Sequence, residues 1–402
     1  MKTRLAILVT HPIQYFVPWF RELSRLPELE LTVYYCFRPS SGEQGKGFGV
    51  PFQWDCPLDG GYQSILLKNV SSHPTTSRYR GCDTPEISQL VASGRHDVWL
   101  VHGWMVKSYW QAMKTCWKQR VPLLVRGDSH LLDRRPWPVR LAKRLLLGRW
   151  IPRFSSYLTV GTLNEACYEF YGADRSRFFR VPHCVDNNWF AEKSKLVGDA
   201  RLSSRQRLGV PTDAMVFLFC GKFIEKKRPL DLLQALDAPD CRETRAHALF
   251  VGDGPLRKAC ESYARTRNIA STFVGFKNQS ELPEMYAVAD VLVLPSSHSE
   301  TWGLVVNEAM ACQRPALVSD KVGCGPDLVL EGKTGYVFPC GEIGALREAL
   351  LRYVSRPDLA VSHGGVACDH VGKHYSLEIA VSGTLRAVQA VRAQVQTTCI
   401  RA

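Results

Sequence analysis

Short, β-branched apolar runs alternate with longer amphipathic stretches along the whole chain. In the first half, LAILVT (5–10), LTVYYC (31–36), VWLV (98–101), LLV (123–125) and YLTV (157–160) predict strands. Helix-length stretches lie near 16–26, 107–119, 137–148 and 162–171. In the second half the strand runs are 216–220, 248–251, 272–274, 291–294 and 316–318, each followed by a helical stretch. This strand–helix alternation predicts an α/β protein with parallel sheets covered by helices on both faces.

The alternation occurs twice. Between the two series, FRVPHCVDNNWFAEKSKLVGDARLSS (179–204) is polar, carries a proline and loses periodicity, which predicts a linker near 184–200. The expected organisation is one α/β domain over 1–190, a second over 200–375, and a closing segment, 376–402. That last segment is helix-compatible and has no strand after it, so it is expected to pack back on the first domain. Two open sheets in tandem create a cleft at the carboxyl ends of their strands, where ligands bind.

Composition narrows the picture modestly. With 402 residues, 45% of them hydrophobic, each domain can bury its own core. The formal net charge of +13 suits nucleic acid, an anionic membrane or a phosphorylated substrate, or simply a soluble basic surface. The 14 cysteines contain no C-x-x-C pair and many sit in apolar runs, as Cys36 and Cys220 do, which fits buried thiols in a reducing compartment. MKTRLAILVTHPIQYF begins like a signal peptide, but the apolar stretch is short and His11-Pro12 follows, so it reads as a first buried strand. No run approaches the roughly 20 apolar residues that cross a bilayer.

The chemistry concentrates after strands. DVLVLP (290–295) leads into SSHSETWG (296–303) and then the helical LVVNEAMACQ (304–313). Glu300 falls just ahead of the helix and Glu308 one to two turns inside it. A helix N-terminus suits a diphosphate, Gly303 lets a ligand approach the backbone, and an ionised carboxylate accepts from neighbouring sugar hydroxyls. The plainer alternative is a capping Glu300 and a solvated Glu308. GKFIEKKRP (221–229) follows the strand MVFLFC, so that Gly221 turns the chain and Lys222 and Lys227 flank the site. Two cations there would neutralise the growing charge of a leaving nucleotide, or else form a solvated basic loop. VGDGPL (251–256) has only two of the glycines of a dinucleotide fingerprint and reads as a tight turn bordering the cleft.

In order, G-K-x-x-x-x-K (221–227), GDGP (252–255), FVGF (273–276), DVLVLPS (290–296), E-x7-E with EAMA (300–311) and RPALVSD (314–320) resemble the family-4 glycosyltransferases. The match is close over about 215–340 and a matter of pattern elsewhere. The resemblance implies the GT-B architecture, two Rossmann-like domains facing across a cleft, and a retaining transfer of sugar from a nucleotide donor. It implies that Glu308 binds the ribose, that Glu300 contacts the donor sugar, and that Lys227 binds the diphosphate. Lys222 stands where the family usually has arginine; it keeps the charge and loses the bidentate fork. The resemblance also sets Gly275 and Phe276 beside the base, and the backbone of Trp302, Gly303 and Leu304 against sugar and phosphates. It implies no cofactor and no metal; the nucleotide sugar, a UDP- or GDP-sugar, is itself a substrate.

The first half departs from the family at the loop RGDSH (126–130), where Asp128 occupies the place of the usual sugar-facing histidine and His130 comes two residues later. Either residue could orient the sugar or accept the acceptor's proton, or be an ordinary loop residue bonded to backbone. His11 and Gln14 in THPIQYF, and His102 in VHGW, also follow strands and are candidates for acceptor binding, with a packed core histidine as the alternative for His102. Finally, RRPWPVRLAKRLLLGRWIPRF (134–154) carries seven cations, no acidic residue and the interleaved Trp137 and Trp150. It fits peripheral contact with an anionic membrane, or an ordinary docked helix with solvated arginines. The resulting expectation is a cytoplasmic glycosyltransferase, peripheral at the inner face of the membrane in the first case, acting on a glycan, lipid-linked or small-molecule acceptor. Nucleotide-sugar epimerase or sugar phosphorylase activity on the same fold is the enzymatic alternative. Nucleic-acid binding rests on charge alone and leaves the carboxylate pair unexplained.

Overall fold

The structure is a computed structural model that describes residues 2–133, 136–198 and 200–401, with side chains to 394. The chain divides into two compact units, the first made of Met1–Pro39, Pro57–His183 and Leu377–Ala402, the second of Ser40–Cys56 and Cys184–Ser376.

Each unit holds a parallel sheet. Among the described residues the first has β1 (Thr3–Val9), β2 (Leu29–Tyr35), β3 (Gln63–Leu66), β4 (Val98–Val101), β5 (Leu123–Gly127), β6 (Ser156–Thr159) and β7 (Phe178–Arg180), in spatial order 3-2-1-4-5-6-7. The second has β8 (Met215–Cys220), β9 (Ala246–Val251), β10 (Ser271–Gly275), β11 (Val291–Leu294), β12 (Ala316–Ser319) and β13 (Gly335–Phe338), in order 10-9-8-11-12-13. Both are Rossmann-like orders. β1 sits centrally, with Leu5 opposite Leu31 of β2 and Val98 of β4. Covered on both faces, its Leu5, Ala6, Ile7 and Leu8 are fully buried, which explains its unbroken apolar run. In the second unit the aromatic rings of Phe217, Phe219, Phe223 and Phe250 build the corresponding core.

Three strands escape the sequence pattern: β3, β7 and β13. Each lies at the edge of its sheet, where one flank is unpaired and the faces are less covered, so its residues need not be uniformly apolar.

Two other expectations are corrected. The stretch taken as a linker forms the helix Asn187–Gly198, started by Asp186 accepting from Trp189 N at 3.0 Å and anchored by buried Phe190 against Tyr286. Segment Ser40–Cys56, expected in the first domain, belongs to the second unit. Its Phe48 and Phe52 pack on Phe276 with ring centroids 5.0 and 4.4 Å away, and Asn278 Nδ2 donates to Gln53 O at 2.7 Å. Burying those rings outweighs sequence proximity to β2.

The last helix, Leu377–Arg401, belongs to the first unit and lies along β6, β7 and the helix Val17–Arg25. Gly383 makes this close approach feasible, since a Cβ there would meet Arg180 O at 2.0 Å. Gly383→Val should therefore push the helix off β7 and lower stability by about 1–3 kcal/mol. Thermal melting together with faster proteolysis after residue 376 checks this; an unchanged midpoint and cleavage rate would contradict it.

Candidate active site

In an open parallel sheet, ligands collect where neighbouring strands send their connections to opposite faces. In the second unit that point lies between β8 and β11, and the two loops leaving it there are 221–227 and 295–303. They are zipped together: Ser297 N donates to Lys226 O at 2.8 Å. The side chains of Lys227 and Glu300, one from each loop, form a largely but not fully buried ion pair. Ser296 Oγ donates to the same carboxylate oxygen, Oε2, at 2.9 Å. Burial pushes the Glu300 carboxyl up, but Lys227, Ser296 and Lys226 together outweigh it and hold the group below its ordinary value. The backbone of Glu300 is fixed as well, through a parallel bridge to Val322 and a 2.9 Å bond from Gly323 N to its carbonyl.

Gly303, at φ +102, is the N-cap of the helix Leu304–Ala311, and no side chain caps it. A capping role for Glu300 is thereby excluded. Trp302 is buried just ahead of the helix, with its Nε1 donating to Asn307 Oδ1 at 2.8 Å, and Leu304 opens the first turn. Glu308 is fully buried and accepts from Tyr286 Oη at 2.5 Å, so it is not a solvated helix residue.

The glycine turns interlock beside this pair. Gly252 must lack a side chain because a Cβ would stand 1.9 Å from Gly221 O, and Phe223 N donates to Asp253 O at 2.9 Å. The GDGP turn thus packs directly on the lysine loop. Gly275 joins it through its carbonyl, 2.8 Å from Gly252 N. Lys222 Nζ donates to Lys46 O at 2.8 Å and lies 5.0 Å from the centre of the Phe48 ring. Burial pulls its ammonium down, and Lys226 and Lys227 add to the effect. Segment 40–56 therefore lines the same face as Lys222, Gly254 and Phe276, a neighbourhood the sequence did not signal beyond its aromatic content.

The first unit gathers a second group at the equivalent point between β1 and β4. Gln14 lies in the turn that opens the helix Val17–Arg25, and His11 Nδ1 is 2.9 Å from Thr10 Oγ1. His102 follows β4 and packs against Phe16 and Trp19, at centroid distances of 4.7 and 5.9 Å. Buried Arg126 donates to Pro182 O at 3.1 Å and lies over the Phe16 and Trp19 rings. Asp128 Oδ2 stands 3.9 Å from His183 Nε2. The sequence pattern does not single out His183, which lies three residues beyond β7, a strand that the pattern does not show. Burial, then Arg126, pulls both His102 and His183 well below the ordinary imidazole value, so both are neutral near pH 7. His130 is held locally, its Nδ1 accepting from Leu132 N at 3.2 Å. Among the described residues no group of three or more His, Cys, Asp or Glu is placed to hold a metal ion.

Residues 201–364 match the family described as glycosyl transferases group 1. The chain is 30% identical over 347 residues to the D-inositol 3-phosphate glycosyltransferase of Streptomyces scabiei (strain 87.22), covering 76% of this chain and 73% of that protein. Among solved structures, a glycosyltransferase from Rickettsia africae ESF-5 superposes with a TM-score of 0.73 at 14% identity, over 97% of this chain and 98% of that one. Anabaena Alr3699/HepE in complex with UDP superposes at 0.68 and 15% identity, over 99% and 100% of the two chains.

The ion pair sets a pH dependence. Because Glu300 is held below its ordinary 4.5, its contribution to stability is present above that pH and is lost as pH falls through the folded value. Lys227→Met leaves a buried carboxylate uncompensated and should cost about 3 kcal/mol at pH 7. The difference from wild type should shrink on acidification from pH 7 to pH 4, because the stranded carboxyl, released from Lys227 and still raised by burial, protonates before the wild-type one does. Denaturant titrations at pH 7 and pH 4 test both; a constant difference at the two pH values would show that the loss does not arise from a stranded Glu300 carboxylate.

Proposed function

From the premise that this chain belongs to the glycosyl transferases of group 1, and so is a glycosyltransferase, we propose that it moves a sugar from a UDP- or GDP-sugar to an acceptor hydroxyl with retention of configuration. The observation that carries the donor half of this reading is the part-buried Lys227–Glu300 pair at the switch point of the second sheet. Its two known bonds fall on Oε2 of Glu300, so Oε1 is the oxygen to accept from donor-sugar hydroxyls. Glu308, oriented by Tyr286, binds the ribose. Lys222 and Lys227 take the diphosphate, with the backbone at Trp302, Gly303 and Leu304 on the sugar and phosphates. Gly221 gives the lysine loop its turn, and Gly275 with Phe276 borders the base. The UDP held by the Anabaena protein supports a nucleotide ligand of this class.

The acceptor half falls to the first unit. His11, Gln14 and His102 bind the acceptor, and Asp128, braced by His183, orients the reacting hydroxyl, with His130 beside it in the loop. In the transfer, the bond between the anomeric carbon and the leaving phosphate oxygen breaks. The acceptor oxygen bonds to the same face, and its proton passes to the departing diphosphate. The nucleotide sugar is the one small molecule required besides the acceptor, which is a glycan, a lipid-linked glycan or a small metabolite. The D-inositol 3-phosphate glycosyltransferase relative supports the last of these.

The helix Trp137–Trp150 supports a peripheral membrane location. Its inner side docks through Trp150, 4.9 Å from Trp110, and through Leu147. Its outer side carries Trp137, Leu141 and Leu145 at spacings of four, a stripe that ordinarily faces a core, yet they are 74%, 49% and 70% exposed. Arg140, Arg144 and Arg149 flank the stripe, and no acidic residue occurs in the helix. Arg134 and Arg135 lie outside the described residues. Apolar side chains edged by cations suit the headgroup boundary of an anionic bilayer.

Two experiments test these readings. In a panel of nucleotide sugars, one UDP- or GDP-sugar should raise the melting temperature saturably and be slowly hydrolysed. Glu308→Ala should abolish the shift, and Glu300→Gln should cut transfer about tenfold to a hundredfold, the worth of a charged hydrogen bond. No shift with any nucleotide sugar would sink the donor assignment. Separately, the chain should co-sediment with vesicles containing phosphatidylglycerol but not with pure phosphatidylcholine. Trp137→Glu with Leu145→Glu should reduce the bound fraction at least tenfold while leaving the donor response intact. Equal binding by native and variant protein, or self-association through this helix in light scattering, would refute the membrane role.

A further inference from the structure

The opposite end of the second sheet holds a second cavity. It lies where β8, β11 and β12 begin, whereas the loops of the donor site leave from the other ends of those strands. It measures about 620 Å³ and is lined by Arg201, Asp290, Arg314, Met215, Val354 and Ala360, among others. That volume falls in the range of small-molecule sites.

Charge in this cavity is unevenly paired. Asp290 is the shared carboxylate: Arg201 bonds it, Arg205 Nη2 donates to it at 2.8 Å, and Val216 N donates at 2.7 Å. Arg205 spends its other donors on Val288 O at 2.9 Å and Ala214 O at 3.0 Å. Arg314, immediately before Pro315 and β12, has no carboxylate of its own among the described residues. The Nε atoms of Arg201 and Arg314 are both buried, and neither has a hydrogen-bond partner among the described residues. Of the remaining lining carboxylates, Asp213 is paired with Arg245 at the exposed rim, and Glu243 is exposed. Burial pulls Arg314 down, Arg201 pulls it further, and Asp290 opposes them. A guanidinium does not lose its proton in a protein, so a half-buried one calls for an anion instead.

We propose that this cavity binds a small phosphorylated ligand, held by the forks of Arg314 and Arg201, with its carbon skeleton against Met215, Val354 and Ala360. Arg314 lines the cavity, and its outer Nη donors, which bond no described residue, match the oxygens of a phosphate, which a guanidinium engages two at a time. The apolar wall accounts for a volume larger than the phosphate alone requires. Because Arg201 opens the helix Arg201–Leu208 and Arg314 precedes β12, the ligand would clamp that helix to the sheet. The site is independent of the donor assignment, sharing none of its residues.

Calorimetric titration of the full chain with inorganic phosphate, at constant ionic strength and with a saturating nucleotide sugar present, tests the proposal. One saturable site should appear. Arg314→Gln should weaken it at least tenfold, Arg314→Lys should weaken it less, and Lys227→Ala should leave it unchanged. If Arg314→Gln does not fold, Arg201→Gln and the Lys variant give the same comparison. Failure of phosphate to bind saturably would overturn the site, as would binding that Lys227→Ala abolishes and Arg314→Lys leaves untouched. Loss of the nucleotide-sugar response with phosphate binding retained would count against the donor reading alone.

Discussion

Glu300 is a carboxylate largely withdrawn from water, and its charge persists because Lys227 and Ser296 meet it there. Meeting it requires that the loop after β8 and the loop after β11 run side by side. That in turn requires β8 and β11 to be neighbours although two strands separate them in sequence. The ion pair is therefore a local consequence of sheet order. It also links architecture to chemistry, since a charged, oriented carboxylate beside a cation is what binding sugar hydroxyls next to phosphates needs.

The two units use the same geometric device differently. Each collects its polar groups where the central strands send their connections apart. In the second unit the result is cationic and held by backbone, with Lys222, Lys227 and a helix N-terminus converging. In the first it is aromatic and imidazole-rich, with His102 and His183 neutral and Arg126 buried under rings and bonded to carbonyls. A cation-rich half suits a diphosphate. A half made of neutral imidazoles and one more exposed carboxylate offers uncharged hydrogen-bonding groups instead.

Arginines at the far end of the second sheet show how the same fold handles charge away from the reaction. Asp290 serves two guanidiniums and a backbone amide at once, an economical arrangement for fixing the strand starts. It leaves Arg314 without a carboxylate among the described residues.

The sequence by itself determined the fold class, the two-fold repetition of the strand–helix series and the strands buried on both faces, because full burial demands unbroken apolar runs. It also determined the donor-side motifs, because these sit in loops contiguous with such strands. Edge strands β3, β7 and β13 were not legible, since partial burial relaxes the composition that would mark them. The helix at Asn187–Gly198 read as a linker because one buried ring, Phe190, anchors it rather than a full apolar stripe. Segment 40–56 read as part of the first half because pattern reports local periodicity, while its partner Phe276 is more than two hundred residues away. Glu300 and Glu308 could be named from sequence, but whether they were solvated or buried could not. Only the tertiary structure decided that, by bringing Lys227, Ser296 and Tyr286 to them from strands and helices distant along the chain.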